Sequence, residues 1–217
     1  MSKTIILLSI GILSLIGCGQ KSILTPTETE LVTKLNFDED LLNGLKEMTQ
    51  SELKQLPAIY PETGEVMKDK FYDGVLSQTT EEKAIEYVMR HKNKFRTKGY
   101  LIFVFEDEEN KHHVAAIKGN DDIDILRYSG TQAANYSLEN KDIIKKISDW
   151  KSKYGLIVIG CSRDWLHIQF DKLPTDMDAF ANEVYEFCPD SVDQGVGSIA
   201  ELKKAIIEMK GLWLWWD

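Results

Sequence analysis

The chain is poor in cysteine, with three in 217 residues, too few for a disulfide scaffold. No Cys or His spacing fits a zinc site. Among the four histidines, the adjacent pair His112-His113 would point to opposite faces of a strand, so the two cannot chelate one metal together. The acidic runs Asp121-Asp122-Ile123-Asp124 and Asp38-Glu39-Asp40 lack the glycine and distal Glu of a calcium loop. There is no phosphate-cradling glycine loop and no Gly-x-Ser-x-Gly elbow. No metal and no cofactor is therefore expected. A basic surplus is missing as well: 26 Lys and Arg stand against 35 Asp and Glu, a net charge of −9. Nucleic acid demands a basic footprint, which argues against it as a partner. An acidic surface also disfavours electrostatic adhesion to anionic lipid. No repeat of solenoid period is visible. The N-terminal apolar stretch falls short of the roughly 20 residues that cross about 30 Å of hydrocarbon.

What is present begins at the N-terminus. Met1-Ser2-Lys3-Thr4 carries one positive charge, residues 5–16 are mostly apolar, and Leu15-Ile16-Gly17-Cys18 follows. A basic start, a short apolar stretch and a small residue at the cut form a secretory signal over residues 1–17. The Cys directly after Gly17 resembles the lipobox of bacterial lipoproteins. That resemblance implies lipid on Cys18, cleavage before it, and a protein anchored on the extracytoplasmic face of the cell membrane or outer membrane. The alternative is an ordinary secretory signal with an incidental Cys. Gly19 stands where an Asp often signals inner-membrane retention, which leaves the outer membrane open. Outside the cytoplasm Cys161 and Cys188 either form a disulfide or stay as buried thiols.

The remaining residues divide into a polar, aperiodic stretch over 18–36, expected to be a flexible tether, and one domain over 37–217. Leu41, Leu42, Leu45 and Met48 have helical spacing, and Pro57 is expected to end that region. Short strands are expected around Val66 and Val75. Thr79 and Glu82 form a capping box ahead of an amphipathic helix. Residues 100–105 (YLIFVF), apolar on both faces, mark a central strand. Strands over 113–117 and 123–126 would complete an antiparallel meander. A helix over 138–154 ends at Gly155. Strands over 156–159 and 165–170 follow, then a helix capped by Thr175 and stopped by Pro189. Ser198 and Glu201 form a second capping box, with Gly211 closing that helix. The last six residues contain three Trp and read as a packed strand. The pattern is α+β: a single domain with a mixed, largely antiparallel sheet covered by helices.

Four segments carry a family resemblance: Gly130-Thr131-Gln132-Ala133-Ala134-Asn135-Tyr136, Tyr185-Glu186-Phe187-Cys188-Pro189-Asp190, Asp193-Gln194-Gly195 and the terminal Leu214-Trp215-Trp216-Asp217. In this order they resemble domain of unknown function family 4253 over residues 100–217. The resemblance bears on domain extent and implies no established activity.

The best binding candidates are Asp190, Asp193, Gln194, Gly195, Trp215, Trp216 and Asp217. Aromatic walls with carboxylates and an amide suit a polar ligand such as a sugar or peptide. The competing assignment has the aspartates capping turns and the tryptophans in the core. Cys188 shares a stripe with Met177, Ala181 and Val184, and a helix C-terminus disfavours a thiolate. These features point to a membrane-tethered binding module for a protein or polar envelope ligand. One alternative is an envelope hydrolase using carboxylates among Asp164, Asp190, Asp193 and Asp217. Another is a purely structural lipoprotein.

Overall fold

The computed structural model describes residues 22–216, so the segment expected to be a signal, Cys18 and Asp217 lie outside the described residues. The elements run α1 (Pro26–Lys34), α2 (Glu39–Thr49), β1 (Leu53–Ile59), β2 (Val66–Gln78), α3 (Glu81–Arg96), β3 (Tyr100–Glu106), β4 (His112–Lys118), α4 (Ile123–Ser129), α5 (Asn140–Tyr154), β5 (Leu156–Cys161), β6 (Trp165–Phe170), α6 (Met177–Phe187), α7 (Ile199–Met209) and β7 (Gly211–Trp215). A 3-10 turn (Ala134–Tyr136) precedes α5, and a π-turn (Ser191–Val196) lies between α6 and α7.

The fold is α+β, built on one seven-stranded sheet of order β1-β2-β4-β3-β5-β6-β7. Among the described strands only β3 and β5 pair in parallel, through Val104↔Gly160 and Phe105↔Cys161, and the other pairs are antiparallel. The chain leaves β4, crosses one face through α4 and α5, and enters β5 on the far side of β3. Alternation along the strands feeds two cores. On one face Leu101, Phe103, Phe105, Leu166, Ile168 and Leu214 pack under α4–α7. On the other Ile102, Val104, Val114, Ala116 and Ile159 pack under α1–α3.

Several expectations are corrected. The stretch expected to be a flexible tether contains α1. Thr25 and Glu28 form a reciprocal capping box with Pro26 at the first turn, and buried Val32 faces the core. Glu28 is also buried. Its carboxylate takes Lys46 Nζ (2.6 Å) and the Leu53 and Thr25 amides (both 2.8 Å), tying α1 to α2 and β1. Pro57 ends no helix; it lies within β1 between two register shifts, where a missing N–H is tolerated. The strands expected around Val66 and Val75 are one long strand, β2. Caps fall one residue later than expected, at Thr80 and Asp176. Gly211 starts β7, while Lys210 in the left-handed region closes α7.

The main change is over residues 123–126, which form α4 rather than a strand. A short apolar run does not by itself distinguish the two. Here Gly130, at φ 62°, closes a helix by donating its N–H to Leu126 O. Asp122, just before α4, is 1% exposed and bonded to Arg96 of α3. It also accepts from the Val158 amide of β5 (3.0 Å), with Lys151 of α5 at 3.7 Å.

Removing one partner of a buried ion pair costs about 3–5 kcal/mol. Asp122→Ala is expected to lose stability on that scale in urea denaturation. For Glu28, burial acts to raise the carboxyl pKa, but Lys46 and the Leu53 and Thr25 amides outweigh it and lower it from 4.5 to about 2. Its stabilisation is therefore fully present above pH 4.5 and fades as pH falls towards 2. Glu28→Gln is expected to remove on the order of 3 kcal/mol at neutral pH and to flatten that acid limb.

Candidate functional site

The carboxyl ends of β3 and β5, the parallel pair, open into a cleft of about 430 Å³. Open sheets place ligands at such ends, where successive connections diverge. The β3–β4 turn supplies Asp107 and Glu108, the β1–β2 turn supplies Glu65, and Glu106 closes β3. Facing them is the β5–β6 turn with Arg163 and Asp164. Arg163 is exposed and has no ion pair among the described residues, although carboxylates share its cleft.

That turn is held from several sides. Thr131 Oγ1, fully buried, donates to Ser162 O (2.6 Å), and the Gln132 amide donates to Arg163 O (2.9 Å). Ser162 Oγ donates to Glu106 O (2.9 Å), and the Trp216 amide donates to Asp164 O (3.0 Å). Asn140 Nδ2 fixes the segment carrying Thr131 by donating to Leu126 O (3.0 Å) and Thr131 O (2.9 Å). The β1–β2 turn closes in through a glycine contact. A Cβ on Gly130 would lie 3.0 Å from Gly64 Cα, and both residues have positive φ.

The carboxylates differ in state. Burial raises the Glu106 pKa, and neighbouring Asp164 and Glu81 add to the rise against His112 and the Trp165 indole. Burial acts in the same sense on Asp107, but His113 and the Lys111 and Glu109 amides outweigh it and bring its pKa down. Its oxygens accept from His113 Nε2 (2.8 Å), Glu109 N (2.9 Å) and Lys111 N (3.0 Å). Asp107 therefore organises the turn, while Glu106 is the carboxyl that holds a proton more readily.

Most residues expected to bind ligand come together, but beside the cleft rather than in it. Asp190 is 3% exposed and accepts from Tyr136 Oη (2.6 Å) and Gln194 Nε2 (3.0 Å). This bond holds the Tyr136 phenol pKa up at about 12. Trp216 is buried, its indole N–H donating to Phe187 O (3.2 Å). Cys188 Sγ donates to Trp215 O (3.0 Å). A Cβ on Gly195 would meet the Trp215 ring at 2.6 Å, so glycine lets the π-turn lie against the indole. Asp193, Gln194 and Gly195 are exposed, and Tyr185 Oη lies 3.3 Å from Asp193 Oδ1. Asp217 lies outside the described residues. Sequence reasoning passed over Glu65, Glu106, Asp107, Glu108 and Arg163 as binding residues; the acidic run at 106–109 was the available signal.

Cys161 and Cys188 are free and buried. Burial pushes the Cys188 thiol up to about 11 and the Cys161 thiol up to about 12. His167 cannot act on Cys188: it lies on the sheet face opposite Leu166 and Ile168, which share the Cys188 core. Burial lowers its pKa to about 4, and its ring lies 4.9 Å from the Trp213 ring. Among the described residues no group of three or more His, Cys, Asp or Glu is placed to hold a metal, and no helix is long and apolar enough to cross a membrane.

The fold and this cleft define an α+β domain with an acidic recess at the end of its parallel strand pair. Residues 113–217 match the family model described as Domain of unknown function (DUF4253), which supports the family resemblance over that stretch. No curated protein and no solved structure matches the chain.

Both thiols are expected to resist iodoacetamide in the native protein at about pH 8, because the reactive thiolate is suppressed, and to label once guanidinium unfolds the chain. Mass spectrometry reads the two states. Alkylation of native Cys188 would contradict the burial described.

Proposed function

We propose that this is a lipid-anchored, extracytoplasmic binding module. Its acidic cleft receives an ammonium or guanidinium group of a protein or polar envelope molecule. The observation that carries this reading is the convergence of Glu65, Glu106, Asp107, Glu108 and Asp164 on one recess. Clefts lined by charge of one sign concentrate ligands of the other. The anchor is the lipid on Cys18 inferred from the sequence. The Trp216 amide supports the turn that presents Asp164.

The test uses the full anchored chain, a tri-lysine peptide as cationic probe, and calorimetry. Glu108→Gln together with Asp164→Asn is expected to weaken binding about tenfold. Arg163→Ala is expected to strengthen it, because a like charge leaves the site. Affinity unchanged in both variants would reject the cleft as the binding surface. Mass spectrometry of the N-terminal peptide reads lipid on Cys18 separately.

A second reading has one observation in its favour. Glu106, with its raised pKa, shares the cleft with Asp164, the kind of environment that separates an acid from a base. An envelope hydrolase built on this pair would release soluble fragments from isolated cell walls. Glu106→Gln would abolish that release while leaving tri-lysine binding measurable.

A further inference from the structure

The beginning of the described chain is pinned to the outer surface of α2. Ser22 Oγ donates to Asn43 Oδ1 (3.1 Å), and the Ile23 amide donates to the same oxygen (2.9 Å). Cys18 precedes Ser22 by four positions. Four residues of chain reach at most about 14 Å. If a lipid holds Cys18, the face around Asn43 must therefore lie close to the bilayer.

That face is concave and continuous. A depression of about 540 Å³ extends from Ile23 and Asn43 to Lys94. It shares Gly44, Glu47 and Lys94 with a groove of about 450 Å³ between α2 and α3. Lys83, Arg90 and Lys94 lie along the α3 side of this groove, at spacings that place them on one helical face. Arg90 is bonded to Glu86 (2.6 Å). Lys83 and Lys94 have no ion pair among the described residues, and the other acids on these walls are Glu47 and Asp40. The Ile23 side chain, 49% exposed, stands at the lip. A chain with net charge −9 thus carries unpaired cations on the side where its anchor emerges. Basic side chains next to a lipid anchor add to membrane attachment.

We infer that the α2–α3 groove is the membrane-facing surface of the anchored protein, with phospholipid headgroup phosphates seated on Lys83 and Lys94. This rests on the lipid anchor at Cys18 proposed above. The acidic cleft shares no lining residue with the groove. The two surfaces therefore divide attachment from ligand capture.

The test uses the full chain processed in a bacterium and reconstituted in vesicles of phosphatidylethanolamine and phosphatidylglycerol. Lys83→Cys, Lys94→Cys and Glu109→Cys are labelled separately with a membrane-impermeant maleimide, each rate normalised to the same variant in guanidinium. Glu109 is exposed on the β3–β4 turn, and the native thiols are buried. Labelling at 83 and 94 is expected to be about tenfold slower than at 109. Adding Lys83→Glu and Arg90→Glu to the Lys94→Cys chain is expected to remove most of that protection. Lipid on Cys18 with equal rates at all three positions overturns the orientation and leaves the anchor standing. Protection that survives charge reversal overturns the phosphate seat. An unmodified Cys18 overturns the anchor and this surface assignment with it.

Discussion

The Asp122 carboxylate joins the layers of this molecule. It is bonded to Arg96 from the helices on one face, lies near Lys151 from those on the other, and accepts the Val158 amide of β5. Its position answers a local shortage of backbone partners. β3 and β5 register only through Val104↔Gly160 and Phe105↔Cys161, at their carboxyl ends. Towards the start of β5 the ladder between them is missing, and a buried amide there needs another acceptor. Asp122 supplies it, and the cost of burying its charge is met by the cations of α3 and α5. The cleft opens at the opposite end of the strand pair.

Local signals account well for much of the sheet and its helices. YLIFVF is buried along most of its length at the centre of the sheet, and Ser198 caps α7 through the Glu201 amide. Elsewhere tertiary contacts decide between local alternatives. Residues 123–126 are apolar enough for a strand, but Asp121 accepts the Ile123 amide at their start and Gly130 in the left-handed region closes them as a helix. The helix α1 is a different kind of miss. Thr25-Pro26-Thr27-Glu28 carries a capping box and a first-turn proline, but the polar composition masked the few apolar positions that pack. The Glu28 carboxylate then completes a three-way junction that no local pattern reveals.

The cleft was less legible than the fold because its walls come from distant parts of the chain. Glu65, the 106–108 run and the 163–164 turn converge only once β3 lies between β4 and β5. Several residues singled out from the sequence have structural roles. Asp190, Trp216 and Cys188 are buried and bonded to specific partners, so substitution disturbs several contacts at once. Thr131, Gln132 and Trp216 hold the main chain of residues 162–164. Thr131, Gln132 and Trp216 thus frame the turn, and ordinary charged residues line the cleft.

The sheet order also bears on what the matched stretch can be as a physical object. Residues 113–217 contain nearly all of β4 together with β5, β6 and β7, but not β3, which separates β4 from β5 in the sheet. Without β3, Ala115 and Ile117 on the α4–α7 face would lose the neighbours Phe103 and Leu101. Arg96 of α3 would likewise be gone from Asp122, leaving that carboxylate short of its closest cation. Similarity therefore begins inside the sheet, whereas the cooperative core extends back through α3 to the N-terminal elements. The cleft straddles the boundary: Arg163 and Asp164 fall within the matched stretch, and Glu65, Glu106, Asp107 and Glu108 fall before it. The matched stretch contributes the held turn, and the preceding residues set most of the charge that turn faces.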